Sequence, residues 1–143
     1  MVVFDGKVWR DGRYWLIEVP ALDLMTQGKS RNDALVMLKD AIRLLIDKKG
    51  MRMTARLVFE GHVSVTSHHD SYLIALMLRR QRTKHGLSLA DVARILGFSS
   101  INAYAQYEQG KNLPSLTKIQ EFLTAMDRQM YLTLNITNRK KAA

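Results

Sequence analysis

A chain of 143 residues with a net charge of +9 and nearly half its residues apolar can fold as one ordinary domain or two small ones. It has no cysteine, which excludes disulfides, thiolate metal sites and a cysteine nucleophile. No apolar run approaches the roughly 20 residues that span a bilayer, and the first residues show no basic stretch followed by an apolar one, so the sequence predicts a cytoplasmic protein with neither membrane span nor secretion signal.

The charge is unevenly placed. Residues 1–70 hold 11 basic and 9 acidic side chains, whereas the residues after 70 hold 11 basic against 4 acidic, a balance of +7. A near-neutral front half and a basic back half predict two domains, 1–70 and 71–137, with a basic tail at 138–143. A basic helical module is the electrostatic footprint of DNA binding.

In chain order, Val2 to Val19 is rich in β-branched and aromatic residues and is punctuated by Asp5-Gly6 and Asp11-Gly12, both of which read as hairpin turns. Trp15, Ile17 and Val19 alternate with Tyr14, Leu16 and Glu18, so one face can be core. Pro20 ends the run, and Leu24 to Gln27 is a weaker third strand closed by Gly28. A helix follows, capped by Ser30 with Asp33 in its first turn. Ala34, Leu35, Leu38, Ala41, Ile42 and Leu45 form its apolar stripe, and Lys48, Lys49 and Gly50 form its expected end. Met53 to Phe59 alternates as a fourth strand. His62 to Ser67 either continues it or folds back. The front half is therefore a β-β-β-α-β unit with one sheet face or edge left uncovered.

The back half reads as short helices. Ser71 to His85 is the first, with Leu73, Ala75, Leu76 and Leu78 apolar and Arg79, Arg80, Arg82 and Lys84 crowding its later turns. Ser88 caps the second with Asp91 three residues on. Gly97 turns the chain, Ser99 or Ser100 caps the third, and Gly110, Pro114 and Ser115 separate it from a fourth that runs to Met126. Two short helices about a glycine turn form a helix-turn-helix, which places the start of its second helix against base edges. The polar residues there are Ser99, Ser100, Asn102 and Gln106, and both Asn and Gln can bond adenine bidentately. Lys84, Lys111 and Asn112 are placed to touch phosphate. Glu108 reads as an internal hydrogen-bonding residue, since a carboxylate is repelled by phosphate. Met130, Leu132, Leu134 and Ile136 then alternate with Tyr131, Thr133, Asn135 and Thr137. This strand needs a partner from the front domain or from a twofold mate, so Tyr131, Leu132, Leu134 and Ile136 are candidate dimerisation residues.

Two families share these patterns. The runs Tyr14-Trp15-Leu16-Ile17-Glu18-Val19-Pro20, Thr26-Gln27-Gly28-Lys29-Ser30, Asp33-Ala34-Leu35 and Ala41-Ile42 resemble the HicB antitoxins over roughly residues 12–47. The segment Pro20-Ala21-Leu22-Asp23-Leu24-Met25 is about one residue shorter than that family's loop and lacks its second proline and its glycine. The runs Leu89 to Gly97, Tyr107-Glu108-Gln109-Gly110-Lys111 and Pro114-Ser115-Leu116 resemble the Xre (phage-repressor-like) helix-turn-helix family, with a recognition segment one residue longer than usual. The first resemblance implies a partial RNase H-like front domain that binds and occludes a HicA-like toxin, a small mRNA-cleaving ribonuclease. It places Trp15, Leu22, Asp23 and Leu24 at the toxin-facing side. The second implies repression through a palindromic double-stranded operator bound by a homodimer or higher homo-oligomer.

The expected fold class is α+β: a small β-β-β-α-β domain, an all-α helix-turn-helix domain and a C-terminal strand. The alternative function is a ligand-sensing helix-turn-helix regulator without a toxin. No catalytic residues, no cofactor and no metal site are expected. Asp5, Glu18 and Asp33 form no recognisable pair, and His62, His68 and His69 have only Asp70 close by.

Overall fold

The computed structural model describes residues 1–138. The predicted basic tail, apart from Asn138, lies outside the described residues. An antiparallel sheet is built from β1 (Phe4–Asp11), β2 (Tyr14–Val19), β3 (Leu24–Gly28), β4 (Met53–Phe59) and β5 (His62–Ser67), in the order β3-β2-β1-β5-β4. The sequence left the fifth strand open; β4 and β5 form a hairpin that brings β5 back beside β1.

Only one of the two Asp-Gly pairs turns the chain. Gly12 has a φ of 61° and makes the β1–β2 hairpin. Gly6 lies inside β1 with no positive φ, and a Cβ there would sit 2.5 Å from the Glu18 carbonyl oxygen. Asp5-Gly6 is thus a close approach of two strands, not a turn. After β2 the chain makes a short 3-10 turn over Pro20–Leu22, with Asp23 in the left-handed region closing it.

Helix α1 (Arg31–Ile46) starts at Ser30, whose Oγ accepts from the Asp33 N–H at 3.0 Å, and it lays Ala34, Leu38 and Ile42 against the inner sheet face. Its end corrects the expectation: Asp47 at φ 50° is the C-cap, and Lys48, Lys49 and Gly50 lie beyond the helix. The inner face buries Phe4, Val8, Ile17, Val19, Leu24, Ala55, Val63 and Val65. By register, the outer face carries Trp9, Tyr14, Met25 and Phe59, which are all exposed.

Helix α2 (Asp70–Lys84) buries every residue from Leu73 to Leu78. A helix buried all round lies between two layers. One side of α2 packs on β5, α1 and the Pro20–Leu22 turn, and the other on the later helices α4 (Ile101–Glu108) and α5 (Leu116–Met126). Together with α3 (Leu89–Ile95) these complete the helical half, and the apolar cluster runs without a break from the sheet to α5.

The predicted C-terminal strand has no ladder partner among the described residues, and residues 131–138 adopt no regular structure. A strand exists through its hydrogen bonds to a neighbour, and the described residues supply none there. Only the start of the segment is held: the Leu132 N–H donates to the Gln120 side-chain oxygen at 2.6 Å, and the Gln120 amide donates to the Met130 carbonyl at 3.1 Å.

Candidate nucleic-acid interface

The recognition helix α4 is set by local caps and by one aromatic cluster. Ser88 and Asp91 form a reciprocal capping box on α3: the Asp91 N–H donates to Ser88 Oγ at 3.0 Å, and the Ser88 N–H donates to Asp91 Oδ2 at 2.8 Å. The Ser88 backbone N–H first, and then the Ser88 side chain, hold the Asp91 carboxyl below its ordinary range. Ser100 caps α4 by accepting from the Ala103 N–H at 3.2 Å. On the buried side, Phe122 of α5 is ringed by Phe98, Tyr104 and Tyr107, with centroids 6.4, 5.2 and 5.0 Å away. Such offset or edge-on rings fix orientation as well as burying area.

A buried ion pair ties α4 to α2. Arg82 Nε and Nη2 donate to the two oxygens of Glu108 at about 2.9 Å, and Arg82 Nη1 donates to the Leu87 carbonyl at 2.9 Å. The two side chains are 13% and 5% exposed, so the pair is effectively dry. Glu108 is thus the internal residue the sequence predicted. The Tyr104 hydroxyl is buried beside it; burial first, then the Glu108 carboxylate, push its pKa up.

The other arginines of α2 also face protein. Arg79 donates to the Leu45 carbonyl, Arg80 Nε to the Leu22 carbonyl at 3.1 Å, and Arg80 Nη2 to the Asp23 carbonyl at 2.5 Å. The buried Gln81 amide adds bonds to the Ala21 and Pro20 carbonyls at 3.1 and 3.4 Å. All three arginines that crowd the later turns of α2 are therefore engaged with the protein. Lys84 is exposed, with Nζ 3.9 Å from Asp23 Oδ1, and so sits at the seam with the sheet rather than beside α4.

The same clasp corrects the toxin-facing set. Leu22 is fully buried because α2 lies over the Pro20–Leu22 turn and occupies its carbonyls, and Leu24 is 9% exposed because it lies on the inner sheet face beside α1. Neither side chain can reach a partner in this arrangement. Asp23 remains half-buried, and Trp15 is half-buried with the Arg31 guanidinium 4.9 Å over its ring.

At the start of α4, Ser99, Ser100 and Asn102 are exposed. The cap occupies one lone pair of the Ser100 hydroxyl, which leaves its hydrogen to donate. Gln106 is turned back: its amide donates to the Ala103 carbonyl at 3.1 Å and its oxygen accepts from Asn112 at 2.7 Å. The predicted base-reading Gln106 and phosphate-touching Asn112 thus hold each other. Lys111 is exposed in the turn after α4. Lys118, which the sequence did not single out, donates to the Tyr107 hydroxyl at 2.8 Å, a bond that raises its pKa. Ile101, also missed, is 48% exposed between Ser100 and Asn102. Its spacing of three and four residues from the buried Tyr104 and Ala105 puts it on their side of the helix, so its exposure, at the very start of α4, was not legible in sequence.

Residues 78–131 match the Helix-turn-helix (HTH_3) family model. This chain carries a DNA-binding helix-turn-helix, the module of a transcription regulator. The match starts at Leu78 in α2 and ends at Tyr131, so it contains the Arg82–Glu108 pair, both helices of the motif and α5. No curated protein matches the chain.

Tyr131, Leu134 and Ile136 are exposed, and Leu132 is partly buried against the core. His62 stacks on Phe59 at 4.2 Å, and His69 lies edge-on to His68 and Tyr72. Among the described residues no three His, Asp or Glu side chains come together in a way that could hold a metal ion. No helix among them is long and apolar enough to cross a membrane.

Proposed function

We propose that this protein is an antitoxin that represses its own operon. Residues 71–137 bind operator DNA, and residues 1–70 bind and occlude a HicA-like mRNA-cleaving toxin. The observation that carries the DNA-binding part is the helix-turn-helix match joined to the exposed first turn of α4. The toxin-binding part is supported by the HicB-like pattern of residues 12–47 and by the uncovered sheet face bearing Trp9, Tyr14 and Met25. Since Leu22 lies under α2, Leu24 lies on the inner sheet face and Trp15 shares that inner face beneath Arg31, the toxin-facing surface in this proposal is Asp23 and that open face. The chain performs no chemistry of its own and needs no cofactor; it shields the toxin's active site with protein surface.

The operator-bound form is a homodimer or higher homo-oligomer. Residues 131–137 pair with their twofold mate, which supplies the missing ladder and covers Leu134 and Ile136. A groove of about 780 Å³ lined by Ile95, Leu96, Leu116, Leu132 and Leu134 lies alongside and supports this interface. Two recognition helices related this way meet major-groove faces roughly 34 Å apart.

Co-expression of the full chain with the product of the adjacent reading frame tests the proposal. That product alone should arrest growth, and the chain should restore it. Trp9→Asp with Tyr14→Asp should lose rescue while retaining promoter binding, and Asn102→Ala should do the reverse. A harmless neighbour, or rescue that depends on Asn102 and not on the sheet face, contradicts the assignment of roles.

A further inference from the structure

Four large apolar side chains are exposed on the helical half: Ile95, Ile101, Leu113 and Leu116. Ile95 and Leu116 line the groove beside the C-terminal segment, but Ile101 does not. Nor does Ile101 pack against the apolar core. It is the first residue of α4, and its neighbours Ser99, Ser100 and Asn102 are all exposed and polar. An isoleucine is a poor choice for that position on local grounds, since β-branching lowers helix propensity and its side chain is left in water.

We infer that Ile101 reads a thymine methyl group in the operator. The inference rests on the helix-turn-helix acting as a DNA reader, and it adds an apolar specificity residue to the polar set. The start of the second helix of such a motif faces base edges. In the major groove the thymine C5-methyl is the apolar feature that a base edge presents, and it distinguishes A·T from T·A and from G·C. Asn102, the next residue, has no hydrogen-bond partner among the described residues and is free to pair with adenine. Ile101 and Asn102 together thus fit one thymine and one adenine at adjacent or opposed positions. With Gln106 held by Asn112, these two join the exposed hydroxyls of Ser99 and Ser100 as the base-reading groups at the start of α4.

The test uses the full chain and a duplex selected from a random-sequence library. Each thymine of the best duplex is replaced in turn by deoxyuridine, which removes the methyl and keeps the O4 acceptor. One position per half-site should weaken binding of the unaltered protein by about fourfold per methyl, the equivalent of one buried methylene. Ile101→Ala should bind the thymine duplex more weakly and lose the thymine–uracil difference. Ile101→Val, which keeps a branched apolar side chain, should retain it, as should Asn102→Ala at reduced affinity. Thermal melting of both Ile101 variants should match the parent, since the residue is not in the core. A thymine–uracil difference that persists in Ile101→Ala, or that is absent from the parent, overturns the inference and leaves DNA reading intact. Failure to enrich any sequence overturns DNA reading, and this inference with it.

Discussion

Two basic stretches of the helical half look alike in sequence and differ in what they do. The end of α2 holds Arg79, Arg80, Arg82 and Lys84, and its three guanidinium groups all donate to protein carbonyls or to Glu108. The turn after α4 and the start of α5 hold Lys111 and Lys118, both exposed. The first stretch binds the DNA-binding module to the sheet and holds α4 to α2. The second presents charge to solvent beside the recognition helix. Formal charge in a segment therefore says little about the field outside it until the partners of each guanidinium are known. Arg suits the first role because its planar fork satisfies several fixed acceptors at once, and Lys suits the second as a hydrated point charge.

The comparison breaks most visibly at Arg82. Arg82→Met strands a Glu108 carboxylate that is 5% exposed, so about 3–5 kcal/mol of folding stability should be lost. Adding Glu108→Gln should recover a large part of it, and urea unfolding of the two variants measures both. On the DNA side, Asn102→Ala should leave the urea midpoint unchanged and reduce operator affinity by about 1–3 kcal/mol, with sequence preference relaxed at one position per half-site. Arg80→Ala leaves the Leu22 and Asp23 carbonyls without that donor; about 1–2 kcal/mol of stability should go, with no change in how binding responds to salt. A smaller effect concerns Asp91. Its carboxyl is held below its ordinary value, so its cap contributes stability above that value, near pH 4, and loses it as the pH falls through the lower folded pKa. Asp91→Asn should lower the neutral plateau slightly and flatten the acid limb of the stability curve, since the contribution it removes is the one lost on acidification.

What could be read from sequence divides along the same line. Caps are local, so Ser30, Ser88, Ser100 and Ser115 each announce a helix start and each accepts the N–H three residues on. The Leu38 and Ile42 stripe is likewise local, being one face of one helix. The fates of Arg80 and Leu22 are not: their contact spans 58 residues of chain and exists only because α2 crosses the Pro20–Leu22 turn. Asp5-Gly6 carries the composition of a turn, yet the packing of Glu18 against Gly6 decides its role. The alternating residues 130–137 carry a strand pattern that finds no ladder partner among the described residues. In the candidate interface, Asn102 was legible because it opens a capped helix. The Gln106–Asn112 bond was not, since it depends on how the turn after α4 folds back.

In the proposed complex, DNA meets the α4 side of the helical half and not the arginine-rich end of α2. The most direct test is the salt dependence of binding to the chain's own promoter, measured for the parent, Lys111→Ala and Arg80→Ala. If Lys111 contacts one phosphate, its loss should reduce the slope of log affinity against log salt by about 0.9 per site, and Arg80→Ala should leave the slope unchanged. A slope lowered by Arg80→Ala and untouched by Lys111→Ala would place the DNA on the other stretch and contradict the account.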